Sequence, residues 1–156
     1  MKINEILINV RFSEIDSMML AHNSVYYIWF EEGRFDFSFR VLNFTHKTLN
    51  QEILLPVIKS ECKYLSPIRL GDTLLLQTLM NVGQSAKITF YYNLFDKDRT
   101  ICHAIGKTEH ALVTREGKML LKFPQDVKEI FENAYENNKV FFADEEFVKA
   151  FETRLG

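Results

Sequence analysis

Apolar and polar residues alternate along the first part of the chain, and the pattern then changes to a helical period. The alternation over residues 3–12 predicts a strand, and residues 13–22, which show no clear periodicity, predict a loop. From residue 23 to about residue 42 the chain contains no proline, so this segment predicts one long helix with Asn23 as its N-cap.

The predicted helix has a narrow polar face. Its charged residues Glu32, Asp36 and Arg40 recur at every fourth position, which places them on one side. Apolar residues cover most of the remaining circumference: Tyr26, Ile28, Trp29, Phe30, Phe35, Phe37 and Phe39. We therefore expect the rest of the protein to enclose most of this helix.

Four apolar runs follow the helix and predict four strands. They are LLPVIKSECKYL, DTLLLQTLMNV, AKITFYYNLF and TICHAIGKTEHALVT. Turn signals separate them at Pro67 with Gly71-Asp72, at residues 83–85 and at residues 96–98. Each connection is short enough for consecutive antiparallel strands, so the pattern predicts a four-stranded meander around the helix.

The last of these runs has small residues at every second position. Cys102, Ala104, Gly106 and Thr108 therefore share one face of the predicted strand. A face of small residues leaves room for a bulky element to approach closely. The aromatic helix is the expected neighbour.

Two amphipathic segments end the chain and predict two helices, PQDVKEIFENAYENN and ADEEFVKAFETRL. The apolar face of the second consists of Phe147, Val148, Phe151 and Leu155. A further helical turn is expected near residues 45–50. The order of elements predicts one α+β domain over residues 1–156, with its core at about residues 1–125 and a helical extension at about residues 126–156.

Composition and charge exclude several kinds of partner. The 156 residues include 19 Lys and Arg against 21 Asp and Glu, and the basic residues are dispersed along the chain. A nucleic-acid-binding face would need them clustered, so we expect no such partner. No apolar stretch suits a membrane span or signal peptide, and the expected location is the cytoplasm. Cys62 and Cys102 lie in apolar runs without metal-ligand spacing and are interpreted as core thiols.

Two motifs resemble those of one known family. In RFSEIDSMMLAHNSVYYIWFEEGRFDF, Asp16 follows the first strand, Tyr26 lies ten positions later, and an aromatic pair, Glu31 and Arg34 come next. In CKYLSPIRLGDTL, a tyrosine-containing strand leads to a proline and a glycine-aspartate turn. Together they resemble the 4-hydroxybenzoyl-CoA thioesterase family and its YbgC-like relatives. The resemblance implies the hot-dog fold, a curved antiparallel sheet wrapped around one long helix.

The resemblance also implies a function, the hydrolysis of an acyl-CoA or acyl-ACP thioester. In the family pattern Asp16 is the catalytic carboxylate, as nucleophile or as general base, and the backbone N–H of Asn23 is the oxyanion donor. Tyr26 either packs in the core or lines the acyl pocket. A thiolate is a good leaving group, so no metal ion or other cofactor is expected. Family members are homodimers or homotetramers with active sites between subunits, which implies the same assembly here.

The chain departs from the family pattern beside Asp16. Met19 stands where many relatives have glycine, and Asn23 stands where YbgC-like members have histidine. His22, one place earlier, is therefore either a functional residue in a shifted position or a surface or capping residue. Glu31 is the reserve catalytic carboxylate, with a structural hydrogen bond or a subunit contact as the alternative.

Other functions fit parts of the same pattern. Outside this motif a lone loop aspartate is more often a turn former than a catalytic residue. A non-catalytic protein that binds acyl thioesters, or a regulatory protein, would keep the fold with a decayed site. A hot-dog dehydratase or hydratase would need a histidine on the helix, which has none beyond His22 at its start. His103 and His110, in the last strand, are interpreted as structural.

Overall fold

The computed structural model describes residues 4–44, 53–137 and 142–156 of the chain. The elements are β1 (Glu5–Asn9), α1 (Val25–Arg40), β2 (Ile53–Leu54), β3 (Val57–Tyr64), β4 (Thr73–Val82), β5 (Lys87–Asp96), β6 (Cys102–Ala111), β7 (Val113–Thr114), α2 (Gln125–Asn137) and α3 (Glu145–Leu155). The predicted long helix and both predicted C-terminal helices are confirmed. The helical turn expected near residues 45–50 lies outside the described residues.

Five strands form one antiparallel sheet in the order β1-β4-β5-β6-β3, and β2 pairs with β7. β4, β5 and β6 form a meander as predicted, but the prediction of four consecutive strands is wrong, because β3 pairs with β6. Pro67 and Gly71 therefore mark a crossover between distant strands and not a hairpin. Residues 65–72, which make this crossover, bind the loop before α1 through Ala21 N–H, which donates to the Ile68 carbonyl at 2.8 Å.

α1 packs on the concave face of the sheet at unusually short range. A Cβ atom added to Gly106 of β6 would lie 2.6 Å from Cζ of Phe30, and one added to Gly33 of α1 would lie 2.5 Å from Oγ1 of Thr78. Phe30 stacks on Tyr92 of β5, with ring centroids 4.3 Å apart. Because glycine stands on both sides of the contact, helix and sheet approach closely enough to bury the aromatic side chains.

The expected small-residue face of β6 is therefore present, with one correction. Ala104, Gly106 and Thr108 face α1, but Cys102 packs with the opposite cluster, which contains Leu79 and Tyr91. The pairing of β5 with β6 shifts register between Leu94 and Phe95, and a register shift turns the following side chain to the other face.

The enclosure of α1 is also less complete than predicted. Trp29, Phe30 and Phe37 are fully buried, whereas three apolar side chains on another face of the helix are exposed. They are Ile28 at 54%, Phe35 at 58% and Phe39 at 49%. One apolar stripe of α1 is thus left open by the described part of the chain.

The C-terminal helix α3 covers the outer face of the sheet. Phe151 is 1% exposed and lies edge-on to Tyr91, with centroids 5.0 Å apart. Lys107 of β6 donates to both carboxylate oxygens of Glu152, at 2.7 and 3.0 Å. Burial lowers the pKa of Lys107, but its bonds to Glu152 and Glu61 outweigh burial and raise the pKa above its usual value. None of the helices among the described residues has the length and apolar content needed to cross a bilayer.

We predict that Gly106→Ala lowers the free energy of unfolding by about 1–3 kcal/mol, because the new methyl group overlaps Phe30. Denaturant unfolding of Gly106→Ala, Phe30→Leu and the double variant measures the coupling. We expect the free energy of unfolding to fall less in the double variant than the sum of the two single decreases, since leucine at position 30 relieves the overlap with the new methyl group. Additive losses would contradict the close approach.

Candidate active site

The loop before α1 is held against the helix by Glu14. Its carbonyl accepts the backbone N–H of His22 at 2.8 Å, and its side chain accepts the indole N–H of Trp29 at 3.2 Å. A short bridge between Ile15 and Ala21 closes the loop. These contacts join the loop to a fully buried side chain of α1, so they fix Asp16 relative to the start of the helix.

Asp16 lies at the centre of this loop and is partly buried. Its Oδ1 accepts the backbone N–H groups of Met18 at 2.8 Å and Leu20 at 3.2 Å. Its Oδ2 has no hydrogen-bond partner among the described residues. Asp16 therefore forms the turn with one carboxylate oxygen and keeps the other available for chemistry, so the two roles are compatible.

Met19, which stands where many relatives have glycine, adopts a left-handed conformation with φ of 62°. Glycine adopts this region at almost no cost, while a residue with a Cβ pays roughly 1–2 kcal/mol. The loop therefore keeps a backbone shape that suits glycine although the glycine is absent. The left-handed conformation of Met19 therefore costs the loop some stability.

The start of α1 differs from the prediction at Asn23. The N-cap is Ser24, so the prediction that Asn23 caps the helix is wrong. His22 takes part of that role, since its Nδ1 accepts the backbone N–H of Ser24 at 3.2 Å and lies 2.8 Å from Oγ of Ser24. The carbonyl of Asn23 accepts the hydroxyl proton of Tyr64 at 2.9 Å. No bond to the N–H of Asn23 occurs within the described ranges, which leaves a donor at the helix N-terminus.

Aromatic rings form one wall of the site. Tyr26 is 4% exposed and lies edge-on to Tyr64, with centroids 4.8 Å apart. Burial, reinforced by the neighbouring Cys62, raises the pKa of Tyr26 to about 12 and that of Tyr64 to about 12. Both phenols are therefore protonated at neutral pH, and Tyr64 acts as a donor that holds the Asn23 peptide.

A cleft of about 500 Å³ brings most of the predicted site residues together. Its lining includes Asp16, His22, Asn23, Tyr26, Tyr64 and Pro67. Tyr64 is the residue whose place here the sequence did not predict, although the second family motif contains it. The crossover that carries Pro67 supplies the opposite wall, which explains why the correct strand order matters for the site.

Glu31 lies in a different place. It lines a second, larger cavity of about 600 Å³, between the C-terminal half of α1 and the segment 53–57. Its side chain is 53% exposed, and its Oε1 lies 3.9 Å from Nη2 of Arg34, whose side chain is 14% exposed. Within one subunit, the reserve carboxylate is thus separate from the Asp16 cleft.

A chain of hydrogen bonds leads inward from the second cavity. Arg34 donates to the hydroxyl of Tyr92 at 3.1 Å, and this hydroxyl lies 2.8 Å from Oγ1 of Thr108. Oγ1 of Thr108 lies 3.0 Å from Nε2 of His110, whose Nδ1 lies 3.1 Å from the carbonyl oxygen of Leu55. A carbonyl only accepts, so Nδ1 of His110 carries the proton and Nε2 accepts from Thr108. Each group in the chain therefore donates to the next, from Arg34 to Tyr92, from Tyr92 to Thr108 and from Thr108 to His110.

The other strand histidine has a backbone partner. His103 is 7% exposed, and its Nδ1 lies 3.4 Å from the carbonyl of Ser66. Its own carbonyl accepts the N–H groups of Leu65 and Ser66. These bonds anchor the crossover, which is the structural role expected of His103. No group of three potential metal ligands is found in residues 4–44, 53–137 and 142–156.

Comparison with known protein families gives one match. The sequence model of the Thioesterase-like superfamily matches residues 10–131, which include α1, the strands from β2 to β7 and about half of α2, while β1 lies just before the matched range. The Asp16 loop and the crossover both fall inside this range.

Two curated proteins are similar in sequence. A protein of Aquifex aeolicus named "Putative esterase" is 26% identical over 125 residues, which cover 80% of this chain and 94% of that protein. A protein of Bacillus subtilis named "Putative acyl-CoA thioesterase YneP" is 26% identical over 90 residues, which cover 57% of this chain and 64% of that protein.

Solved structures share the fold. The structure of a 1,4-dihydroxy-2-naphthoyl-CoA thioesterase from Synechocystis superposes with a TM-score of 0.74 at 13% identity, over 88% of this chain and 98% of that one. The predicted hot-dog architecture is therefore confirmed.

The buried imidazole of His110 predicts a pH dependence of stability. Burial lowers the pKa of His110 below its ordinary value of about 6.5, and the charge of Arg34 lowers it further. The hydrogen bond to the Leu55 carbonyl raises the pKa but does not outweigh these two effects. The unfolded chain therefore binds more protons here, and stability falls as the pH drops below about 6.5. Between pH 7.5 and pH 5.5 we expect the free energy of unfolding of wild type to fall by up to about 1 kcal/mol more than that of His110→Gln.

Denaturant unfolding at the two pH values measures this difference. Thr108→Val is the matched control, because it breaks the same chain of hydrogen bonds but retains the imidazole. It should keep the wild-type pH dependence. Equal pH dependence in wild type and His110→Gln would contradict the assignment.

Proposed function

Because the chain belongs to the thioesterase-like superfamily, we propose that it hydrolyses an acyl-CoA or acyl-ACP thioester, with Asp16 as the catalytic carboxylate. The observation that carries the proposal is that Oδ2 of Asp16 and the N–H of Asn23, neither of which has a hydrogen-bond partner among the described residues, belong to residues that line one cleft. A carboxylate and an oxyanion donor are the two groups that thioester hydrolysis requires.

In the proposed reaction the thioester carbonyl lies over the start of α1. Its oxygen accepts the Asn23 N–H, and the positive end of the helix dipole favours the negative charge that develops there. The hydrogen bond from Tyr64 to the Asn23 carbonyl holds this peptide in position. Tyr26 closes one side of the cleft and excludes water from the acyl group.

Two routes use the same geometry. In one, Oδ2 of Asp16 attacks the carbonyl carbon, the C–S bond breaks to release the thiolate, and water then hydrolyses the mixed anhydride. In the other, Oδ2 removes a proton from water as its oxygen attacks the carbonyl carbon, and the C–S bond breaks from the tetrahedral intermediate. The products of both routes are a carboxylic acid and a thiol.

His22 is proposed as a positioning residue and not as an acid or base. Its Nδ1 is occupied by Ser24, and this contact fixes the peptide that follows Asn23. Glu31 stays the reserve carboxylate, since its cavity is separate from the Asp16 cleft within one subunit.

We predict that Asp16→Asn lowers the rate of thioester hydrolysis by about 10²- to 10⁴-fold. The substituted amide oxygen still accepts the N–H groups of Met18 and Leu20, so the loop keeps its shape while the free carboxylate oxygen is lost. The assay follows thiol release from short, medium, long and benzoyl-type acyl-CoA. Glu31→Gln is the matched control and should retain most of the activity.

Two results would overturn this assignment. Full activity in Asp16→Asn with loss in Glu31→Gln would move the catalytic carboxylate to Glu31. A folded wild-type protein that binds acyl-CoA but releases no thiol would support the non-catalytic alternative.

We also propose that the protein is a homodimer or homotetramer. β3 lies at one edge of the sheet, and exposed apolar side chains surround it. Leu54 is 47% exposed, Val57 and Ile58 are each 46% exposed, and Phe35 and Phe39 belong to the open stripe of α1. A free strand edge beside apolar side chains favours pairing with a second copy of the chain.

We predict that Ile58→Lys dissociates the oligomer, because it places a charge beside the β3 edge. Sedimentation equilibrium measures the molecular mass of wild type and variant. Leu7→Lys is the control, since Leu7 is 58% exposed but lies on β1, at the opposite edge of the sheet. A monomeric wild type, or dissociation by Leu7→Lys alone, would contradict the proposed interface.

A further inference from the structure

The second cavity combines an apolar lining with a largely enclosed guanidinium group, that of Arg34. Most of its lining side chains are apolar, contributed by α1, the segment 53–57, β4, β5 and α2. Three charged residues also line it, namely Glu31, Arg34 and Arg115. Arg34 is the charged group on which the argument below depends.

Arg34 is the most enclosed of these three charged residues. Its side chain is 14% exposed, and among the described residues one of its five N–H donors is used, by Tyr92. The carboxylate of Glu31, at 3.9 Å, is beyond hydrogen-bond distance and is half exposed to water, so it neutralises Arg34 weakly. A guanidinium in an apolar setting with a weak counter-ion is costly unless an anion binds it.

The neighbouring polar groups of the cavity do not neutralise this charge. Tyr92 is fully buried, and burial raises its pKa to about 12 although Arg34 opposes the shift, so the phenol stays neutral. His110 is neutral as well, because burial and the charge of Arg34 lower its pKa, and in the neutral imidazole with the proton on Nδ1 the Nε2 atom accepts from Thr108. The bonds of this chain hold Tyr92 in place as a fixed acceptor for Arg34, which orients the guanidinium.

We propose that this cavity binds an organic carboxylate with an apolar body, with the carboxylate on Arg34 and the body among the aromatic and aliphatic side chains. The guanidinium fork matches a carboxylate in shape and charge. A cavity of about 600 Å³ lies within the range of small-molecule sites, which is roughly 300–1,000 Å³. The carboxylate site rests on the geometry of the cavity, whereas one of the two ligand sources considered next rests on the proposed thioesterase activity.

Two kinds of molecule can supply such a carboxylate. It is either a free carboxylic acid or the distal carboxylate of an acyl group whose thioester lies in the Asp16 cleft. Arg34 lies nine residues beyond the start of α1 at Val25, roughly 14 Å along the helix axis. A substrate that reaches both places therefore needs a long acyl chain.

The test is calorimetric titration of the wild-type protein at pH 7.5 with octanoate and with 1-octanol, which has the same apolar body without the charge. We expect octanoate to bind at least about tenfold more tightly than 1-octanol, and Arg34→Met to abolish this difference. Equal binding of the two ligands to wild type, or an unchanged preference in Arg34→Met, would overturn the proposal.

Two further variants locate the site and do not depend on the stability of Arg34→Met. Leu54→Trp fills the cavity and leaves Arg34 in place, so it should weaken octanoate binding at least about tenfold. Because Leu54 also belongs to the proposed oligomer interface, sedimentation equilibrium must show that this variant keeps the molecular mass of wild type. Leu121→Trp is the matched control, since Leu121 is 75% exposed and lies outside the cavity lining, and it should bind octanoate as wild type does. Unchanged binding in Leu54→Trp would place octanoate elsewhere and contradict the proposal.

Steady-state kinetics then distinguish the two sources. Competitive inhibition of thioester hydrolysis by octanoate would support an acyl group that extends into the cavity. Octanoate binding without competition would support a free carboxylic acid as the ligand. Both kinetic results support the carboxylate site. If calorimetry shows no preference for octanoate, the carboxylate site is wrong, but the thioesterase proposal is unaffected.

Discussion

The close approach of α1 to the sheet is the contact on which the rest of the structure depends. Gly33 and Gly106 remove the side chains that would keep helix and sheet apart, so Phe30 can stack on Tyr92 in the middle of the core. Burial of Trp29, Phe30 and Phe37 then fixes the position and rotation of the helix. Since the helix is held so firmly, its first peptides form a rigid edge of the cleft.

The candidate active site results from three segments that converge on this edge. The loop before α1 carries Asp16, the crossover between β3 and β4 supplies the facing wall, and Tyr64 at the end of β3 holds the Asn23 peptide. The crossover bonds to the loop at Ala21 and to β6 at His103. The crossover that connects β3 to the distant strand β4 therefore also forms one wall of the cleft. The candidate site thus depends on this strand order.

The features predicted correctly from sequence depend on local pattern. The helix, the meander β4-β5-β6 and the close approach at Gly106 follow from periodicity and from residue size. The pairing of β3 with β6 is a contact between distant segments, which alternation along the chain does not encode. The predicted cap at Asn23 was wrong because the helix begins one residue later, after Ser24, whose N–H binds the imidazole of His22. The charged cavity was not predicted, because its residues come together only in the fold.

The proposed reaction depends on the Asn23 N–H, which receives the thioester carbonyl oxygen beside Asp16. Amide proton and nitrogen shifts of ¹⁵N-labelled protein, titrated with a non-hydrolysable ketone analogue of acyl-CoA, test this role most directly. We expect the Asn23 amide to show the largest downfield proton shift, with smaller changes at Met18 and Leu20, whose N–H groups bind Asp16. Saturable binding that leaves the Asn23 amide unshifted would contradict this role of Asn23.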